Sequence, residues 1–242
     1  LGLMLWAEMP AGRIFSTQLS QSLSEQWPRA VIRDRSHPSI VGWVVFNESW
    51  GIWHQGERAE QRHLADALYH LTKSLDPTRP VIGNDGWEFS TGDVWAVHSY
   101  EHGDGGLARC IEGLIESPQT QVTEIGRPRL GALVGADPRS LPMVLSECGG
   151  IGFVDAGKRE GKEPDFAYGD IPKTAEQLLQ ICQRLLAEIG GIPQLNGFVW
   201  TQLTDVQQEV NGLLYFDRRA KIPVEKIADL VGNTAKNRGT LS

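Results

Sequence analysis

Polar side chains recur at the ends of short apolar segments along this chain. Glu8 follows residues 3–6, Asn47-Glu48 follow 40–46, and Asn84-Asp85 follow 80–83. His98 and Tyr100 close residues 94–98, Glu147 follows 143–146, and Trp200-Thr201-Gln202 close 197–201. An ionised group at the end of an apolar run is costly to bury unless it is paired, so each of these positions asks for a reason. Two of the carboxylates, Glu48 and Glu147, come from well-separated segments. Such a pair can hydrolyse a glycosidic bond, one acid protonating the leaving oxygen while the other carboxylate attacks the sugar carbon. Simpler readings stay open on spacing alone. A strand-end Glu is often half of a structural ion pair. His98 could be a satisfied core histidine, and His37 more simply fixes the turn Arg35-Ser36-His37-Pro38-Ser39. Glu8 could bind a sugar hydroxyl or pair with an Arg. Cys148 reads as a small buried residue beside Glu147. Asp205 and Glu209 form too weak a pattern for a metal site.

The elements that must position these residues are legible from periodicity. The six apolar segments are near-continuous, as parallel strands covered on both faces are. Residues 17–34 carry Leu19, Leu23, Trp27, Ala30 and Val31 at helical spacings. Residues 58–75 form the clearest helix, with Leu64, Leu68, Leu71 and Leu75 on one stripe and Asp76-Pro77 as the stop. Residues 173–189 are a third, with Ala175, Leu178, Leu179, Cys182, Leu185 and Leu186 on its apolar side and Gly190-Gly191 expected to end it through a left-handed cap. Strands alternating with helices predict βαβ units and a parallel sheet. The third and fourth strands are too close for a full helix between them, so that crossover is expected to be short or distorted. Residues 117–140 and 155–172 read as Gly-, Pro- and charge-rich insertions. In parallel α/β barrels the loops after the strand C-termini converge on the active site, the face on which the polar residues above would lie.

Composition narrows the function classes. The chain has 242 residues, a net charge of −7 and no basic block, which makes it a poor partner for a phosphate backbone. No apolar run approaches the roughly 20 residues needed to cross a bilayer. Three cysteines without a CxxC pair fit neither a disulfide framework nor a zinc ribbon. Eight Trp outnumber the seven Phe, so some are expected to line a ligand cleft. The chain enters directly on Gly2-Leu3-Met4-Leu5-Trp6, a strand in progress, and a piece of a longer protein is expected.

The words around the two glutamates are more specific. Arg33-Asp34-Arg35-Ser36-His37-Pro38-Ser39-Ile40, running along a strand to Asn47-Glu48, resembles the acid/base signature of glycoside hydrolase family 2. That family contains β-galactosidases, β-glucuronidases and β-mannosidases, and Ser36 stands where it usually has Asn. Pro142-Met143-Val144-Leu145-Ser146-Glu147-Cys148-Gly149-Gly150 resembles its nucleophile strand, with Cys148 in place of an aromatic residue. Residues 197–206, Asn211-Gly212-Leu213-Leu214 and Asp217-Arg218 resemble the last barrel strand and its loop, and residues 1–10 the third strand.

The resemblance implies a (β/α)8 TIM barrel behind two N-terminal β-sandwich domains, here incomplete, with strands 3 to 8 present and 1 and 2 missing, so that residues 1–242 are a partial catalytic domain. It implies retaining hydrolysis of a terminal β-glycoside, β-galactosidase-like first, or of the α-L equivalent. Glu48 would be the general acid/base and Glu147 the nucleophile, with their carboxyl groups about 5–5.5 Å apart. Glu48 would be kept protonated by an apolar setting and Glu147 ionised by hydrogen bonds. Asn47 would bind the sugar 2-hydroxyl, Tyr100 would orient the nucleophile, and Trp200 would lie beneath the sugar ring. Glu8, His98, Asn84, Asp85 and Trp87 would complete the pocket. The uronate-recognising Asn-x-Lys motif is not evident after Trp200. No cofactor, metal, nucleic acid or membrane is expected; a glycoside is the expected partner, and self-association is open. Another clan of barrel glycosidases, cellulase- or mannanase-like, is the nearest rival. A non-catalytic sugar-binding or incomplete chain is the rival of a different class.

Overall fold

The computed structural model describes residues 2–102, 105–124, 126–154, 168 and 171–239. They fall into two compact units, Leu1–His98 with Gly113–Val144, and Ser99–Glu112 with Leu145–Ser242. Among the described residues no helix is long and apolar enough to cross a membrane.

The first unit is built on three parallel strands, β1 (Leu5–Glu8), β2 (Ile40–Asn47) and β3 (Val81–Asp85), in that order. Helices α1 (Thr17–Asp34) and α2 (Ala59–Leu75) make the two crossovers. Strand β2 is apolar from Ile40 to Phe46 because both its faces are covered. Trp43 and Val45 pack with Leu23, Trp27, Val31 and Leu68 on the helix side, while Val44 packs with Ile82, Val94 and Ala96 on the other. Helix α1 starts where Ser16 Oγ accepts the Leu19 N–H at 3.1 Å, the usual device for a helix N-terminus. Its buried residues Leu23, Trp27 and Val31 recur every four positions, as one helix face requires.

Helix α2 spans the expected residues but turns a different line to the core. Gln61, Ala65, Leu68 and Thr72 are buried, and Leu64, Leu71 and Leu75 flank them half-buried. Small and polar residues suit the centre because their polar groups find partners. The Gln61 Oε1 accepts the His54 N–H at 2.7 Å, and Thr72 Oγ1 accepts the Trp27 indole N–H at 2.6 Å while donating to Leu68 O. Trp27 meets Trp43 edge-on at 5.8 Å. Trp27, Trp43 and Trp95 are thus core residues rather than cleft residues.

Between β3 and β4 (Trp95–His98) there is no helix, as expected. The chain instead doubles back, Asp93 N–H bonding Val81 O at 2.8 Å. The insertion at 117–140 is more ordered than expected, carrying an antiparallel pair, β5 (Gln121–Thr123) and β6 (Arg129–Leu130). Helix α3 (Gly106–Glu116), just before it, was not anticipated from spacing.

In the second unit, which takes β7 (Met143–Gly149) from Leu145 on, β7 neighbours β8 (Leu195–Thr201), and α4 (Ala175–Gly191) packs with α5 (Val224–Gly239). Helix α4 begins with Thr174 Oγ1 accepting the Gln177 N–H, and it buries Leu178, Cys182, Leu185 and Leu186. The left-handed cap expected at Gly190-Gly191 is absent: the helix runs through both glycines and stops at Ile192, φ −95°. There the Ile192 N–H bonds Ile189 O, tightening the last turn in place of a cap. Of the expected insertion at 155–172, residues 155–167, 169 and 170 lie outside the described residues.

One buried carboxylate ties α2 to the sheet. Burial alone would raise the pKa of Asp76, but hydrogen bonds from Thr78, the Trp43 indole and Arg79 win and hold it well below the usual carboxylate range. A depressed folded value stabilises the fold above the unfolded value, and the contribution is lost as pH falls below about 4. Asp76→Asn should therefore cost about 1–3 kcal/mol at neutral pH. Chemical denaturation at pH 7 and pH 3 should show the two proteins converging at the acid end; a pH-independent gap would contradict this.

Candidate active site

The site residues of the first unit stand at the carboxyl ends of β2, β3 and β4. Register places Asn47 beside Asp85 and Phe46 beside Asn84. Just past β2 the chain turns sharply, Glu48 at φ +52° and Ser49 at φ +58°, both in the left-handed region that non-glycine residues seldom occupy. Neighbouring polar groups hold this turn. The Glu48 N–H bonds Asp85 O at 2.9 Å, and the Ser49 N–H bonds the Asn84 side-chain oxygen at 3.0 Å. The Asn84 amide nitrogen donates in turn to Ser49 Oγ and to Trp87 O. Two successive residues in an unfavourable conformation persist because the surroundings over-determine them.

Around the Glu48 carboxyl the setting is polar, not the apolar one expected. Glu48 Oε1 lies 3.0 Å from His98 Nδ1, and Asp85 Oδ1 lies 3.2 Å from His98 Nε2. The imidazole is 1% exposed. Gly86, at φ +98°, makes room for it, because a Cβ there would come within 2.8 Å of Nδ1. Trp87 closes the ring from the side, edge-on at 5.7 Å. Asn84, Asp85 and Trp87 are all buried, whereas Asn47 and Glu48 are half-buried and Glu8, ending β1, is exposed. Among the described residues Asn47 Oδ1 has no hydrogen-bond partner.

A second group of charges, not singled out in the sequence, lies behind this turn. Glu88 is 1% exposed and takes hydrogen bonds from Ser49 Oγ at 2.7 Å, Arg127 at 2.6 Å and Arg129 at 3.2 Å. The Arg129 guanidinium also stacks over the Trp53 ring at 4.3 Å. Both arginines come from the insertion at 117–140, whose charge-rich composition was the available signal. A buried carboxylate with two guanidinium partners is satisfied rather than poised for chemistry.

In the second unit, Glu147 lies near the end of β7, and the Tyr100 hydroxyl donates to its Oε2. Burial and the neighbouring Glu147 charge push the Tyr100 phenol far above its ordinary value, so it remains a donor. Tyr168 stacks face-to-face on Tyr100 at 3.5 Å. The Ser99 N–H bonds Glu147 O at 3.1 Å, fixing the chain that delivers Tyr100. Trp200, on β8, lies over Gly149; φ there is +85°, and a Cβ would stand 2.6 Å from the indole. Cys148 is buried and points to Val199 O. Asp205 pairs with Lys221 at 2.7 Å, and Glu209 accepts from Gln202, so both are engaged in the loop after β8.

Residues 15–124, which include Glu48, match the family described as glycosyl hydrolases family 2, TIM barrel domain. That match covers 110 of the 242 residues. Among solved structures it is similar to a family 2 β-galacturonidase from Eisenbergiella tayi bound to galacturonate, with 18% identity over 95% of this chain and 41% of that one, at a TM-score of 0.67. A β-D-glucuronidase of Dictyoglomus thermophilum shares 17% identity over 91% of this chain and 36% of its own, at 0.61. A Bifidobacterium dentium β-glucuronidase, solved with coumarin-3-O-glucuronide, shares 23% over 96% and 37%, at 0.59. The chain thus spans about two fifths of the length of these structures. At such identities the likeness is one of fold, the α/β architecture of the TIM-barrel domain. The run from Arg33 to Glu48 falls on the end of α1, the His37 turn and β2.

The hydrogen bonds around Ser49 yield a stability prediction. Asn84→Ala leaves the buried Ser49 N–H without its acceptor and should cost about 1–3 kcal/mol. Thermal unfolding of the variant would show this as a lowered Tm; an unchanged Tm would mean that the turn holds without Asn84.

Proposed function

We propose that this chain is the catalytic part of a retaining glycoside hydrolase that cleaves terminal β-glycosides by double displacement. The reading takes β1, β2, β3, β4, β7 and β8 as the third to eighth strands of a family 2 barrel, with the other strands and the β-sandwich domains belonging to a longer protein. In the first half-reaction Glu48 protonates the leaving oxygen as Glu147 attacks the anomeric carbon. In the second, Glu48 takes a proton from the water that releases the sugar from Glu147. The observation that carries the reading is the pair of differently dressed glutamates. Glu48 ends the family 2 signature with its carboxyl held by a buried imidazole, and Glu147 receives a phenolic hydrogen bond suited to a carboxylate nucleophile. Asn47 Oδ1, an acceptor in want of a donor, suits a sugar 2-hydroxyl, and Trp200 suits an apolar sugar face.

For the sugar we propose a β-galactoside, because no Asn-x-Lys motif follows Trp200; the uronides in the solved structures belong to those proteins. A panel of 4-nitrophenyl β-galactoside, β-glucuronide, β-galacturonide, β-mannoside and α-L-arabinoside tests this choice in the protein that carries the chain.

The two glutamates are told apart by stereochemistry. Glu48→Ala should lose about 10²–10⁴-fold on alkyl glycosides while still reacting with a dinitrophenyl glycoside, whose leaving group needs no acid. Azide should then give the β-glycosyl azide by attacking the glycosyl-enzyme. Glu147→Ala should impair all substrates alike, and azide entering the vacated space should give the α-azide. NMR of the products decides, and azides of one configuration from both variants would refute the assignment.

A further inference from the structure

His98 touches two carboxyl groups at once, one at each ring nitrogen. The ring is enclosed, 1% exposed, with Glu48 at Nδ1 and Asp85 at Nε2. Carboxylates only accept hydrogen bonds, and a neutral imidazole carries a single N–H. Three such groups in a row are satisfied only if two protons are shared among them. One arrangement puts a proton on Nε2, donated to Asp85, and the other on Glu48, donated to the Nδ1 lone pair. The other arrangements put both protons on the ring, or one on Asp85 and one on Nδ1, and either leaves Glu48 a carboxylate. The partner at Nε2 decides which nitrogen is left to face Glu48, because the hydrogen bond at one ring nitrogen sets the tautomer at the other.

We propose that Asp85 and His98 form a positioning relay for the acid/base glutamate: Asp85 holds the Nε2–H tautomer, and Nδ1 thereby receives and aims the Glu48 carboxylic acid. This rests on the reading of Glu48 given above. When the glycosidic bond breaks, its electron pair stays on the leaving oxygen, which takes the Glu48 proton as a Glu147 oxygen bonds to the anomeric carbon. Glu48 is then a carboxylate facing the Nδ1 lone pair. It regains a proton when water attacks the glycosyl-enzyme, its O–H bond breaking towards Glu48 as the sugar leaves Glu147. The relay returns to its first state with no net proton gained or lost. Gly86 and Trp87 keep the ring from turning out of line, the first by giving it room and the second by closing its side.

Asp85→Asn tests the relay with little change of shape. Its amide oxygen could still accept from Nε2–H, but its NH₂ can also donate, favouring the tautomer with Nδ1–H and reversing the bond to Glu48. His98→Gln, which breaks the link between Glu48 and Asp85, is the second variant should the first fail to fold, and circular dichroism checks both. The readout is kcat/KM, which reports the glycosylation step, for a methyl and a 2,4-dinitrophenyl glycoside of whichever sugar the wild type cleaves. Each variant should lose about 10–10²-fold on the methyl glycoside and less than about threefold on the dinitrophenyl glycoside, because only the first needs the Glu48 proton. Equal losses on both substrates, or no loss on either, would overturn the relay while leaving the glycosidase reading intact. A wild-type protein that cleaves no glycoside would overturn that reading and the relay with it.

Discussion

A charge withdrawn from water must be paired, and the arrangement around β2 and β3 stems from that constraint. Three carboxylates, Glu48, Asp85 and Glu88, lie within a few residues of these strand ends, and each has a specific partner. His98 stands between the first two, and Arg127 and Arg129 neutralise the third. Ser49 joins the groups, bonding Glu88 through its hydroxyl and Asn84 through its N–H. The left-handed turn that presents Glu48 is held by the same bonds that satisfy its buried neighbours. Stability and the presentation of Glu48 are therefore one problem here, solved by one network.

The two glutamates receive opposite treatment. Glu147 is met by a phenol that burial keeps protonated and that can only stabilise negative charge on it. Glu48 is met by a ring that can accept or donate according to what lies on its far side. Environments that differ in this way can run acid and nucleophile chemistry with the same side-chain type. Glycine makes both possible at close quarters, Gly86 behind His98 and Gly149 beneath Trp200, where a Cβ would displace the ring.

Tryptophan divides its duties by burial. Trp27 and Trp43 join the helices to the sheet, and each anchors its indole N–H, on Thr72 and Asp76. Trp87 walls the histidine, Trp53 lies under Arg129, and Trp200 is half-buried on β8. An indole offers a large apolar area with one polar atom, which finds an acceptor in Trp27 and Trp43 but, among the described residues, none in the equally buried Trp87 and Trp95.

Local residue patterns were enough to locate the six apolar strands, three of the five helices among the described residues and the two strand-end glutamates. Runs such as Val44-Val45-Phe46 suit a strand covered on both sides, and the sixteen residues from Arg33 to Glu48 carry the resemblance to a known family. Such patterns stop there. Helix α2 could be bounded but not oriented, because which of its lines faces the core depends on what other segments pack against it, and these cover Ala65 and Leu68. The cap expected at Gly190-Gly191 gave way to a tightened turn at Ile192, so the end of α4 was set beyond the glycines rather than by them. The β5–β6 pair carries too few residues for a period to register, whereas α3 does carry one, burying Leu107, Ile111 and Leu114 along one face. Above all, what each polar residue meets is a property of the folded chain. His98 is fifty residues from Glu48, and Arg127 and Arg129 are about forty from Glu88. Hydrogen bonds act over about 3 Å, and no pattern within one segment encodes a partner that another segment brings.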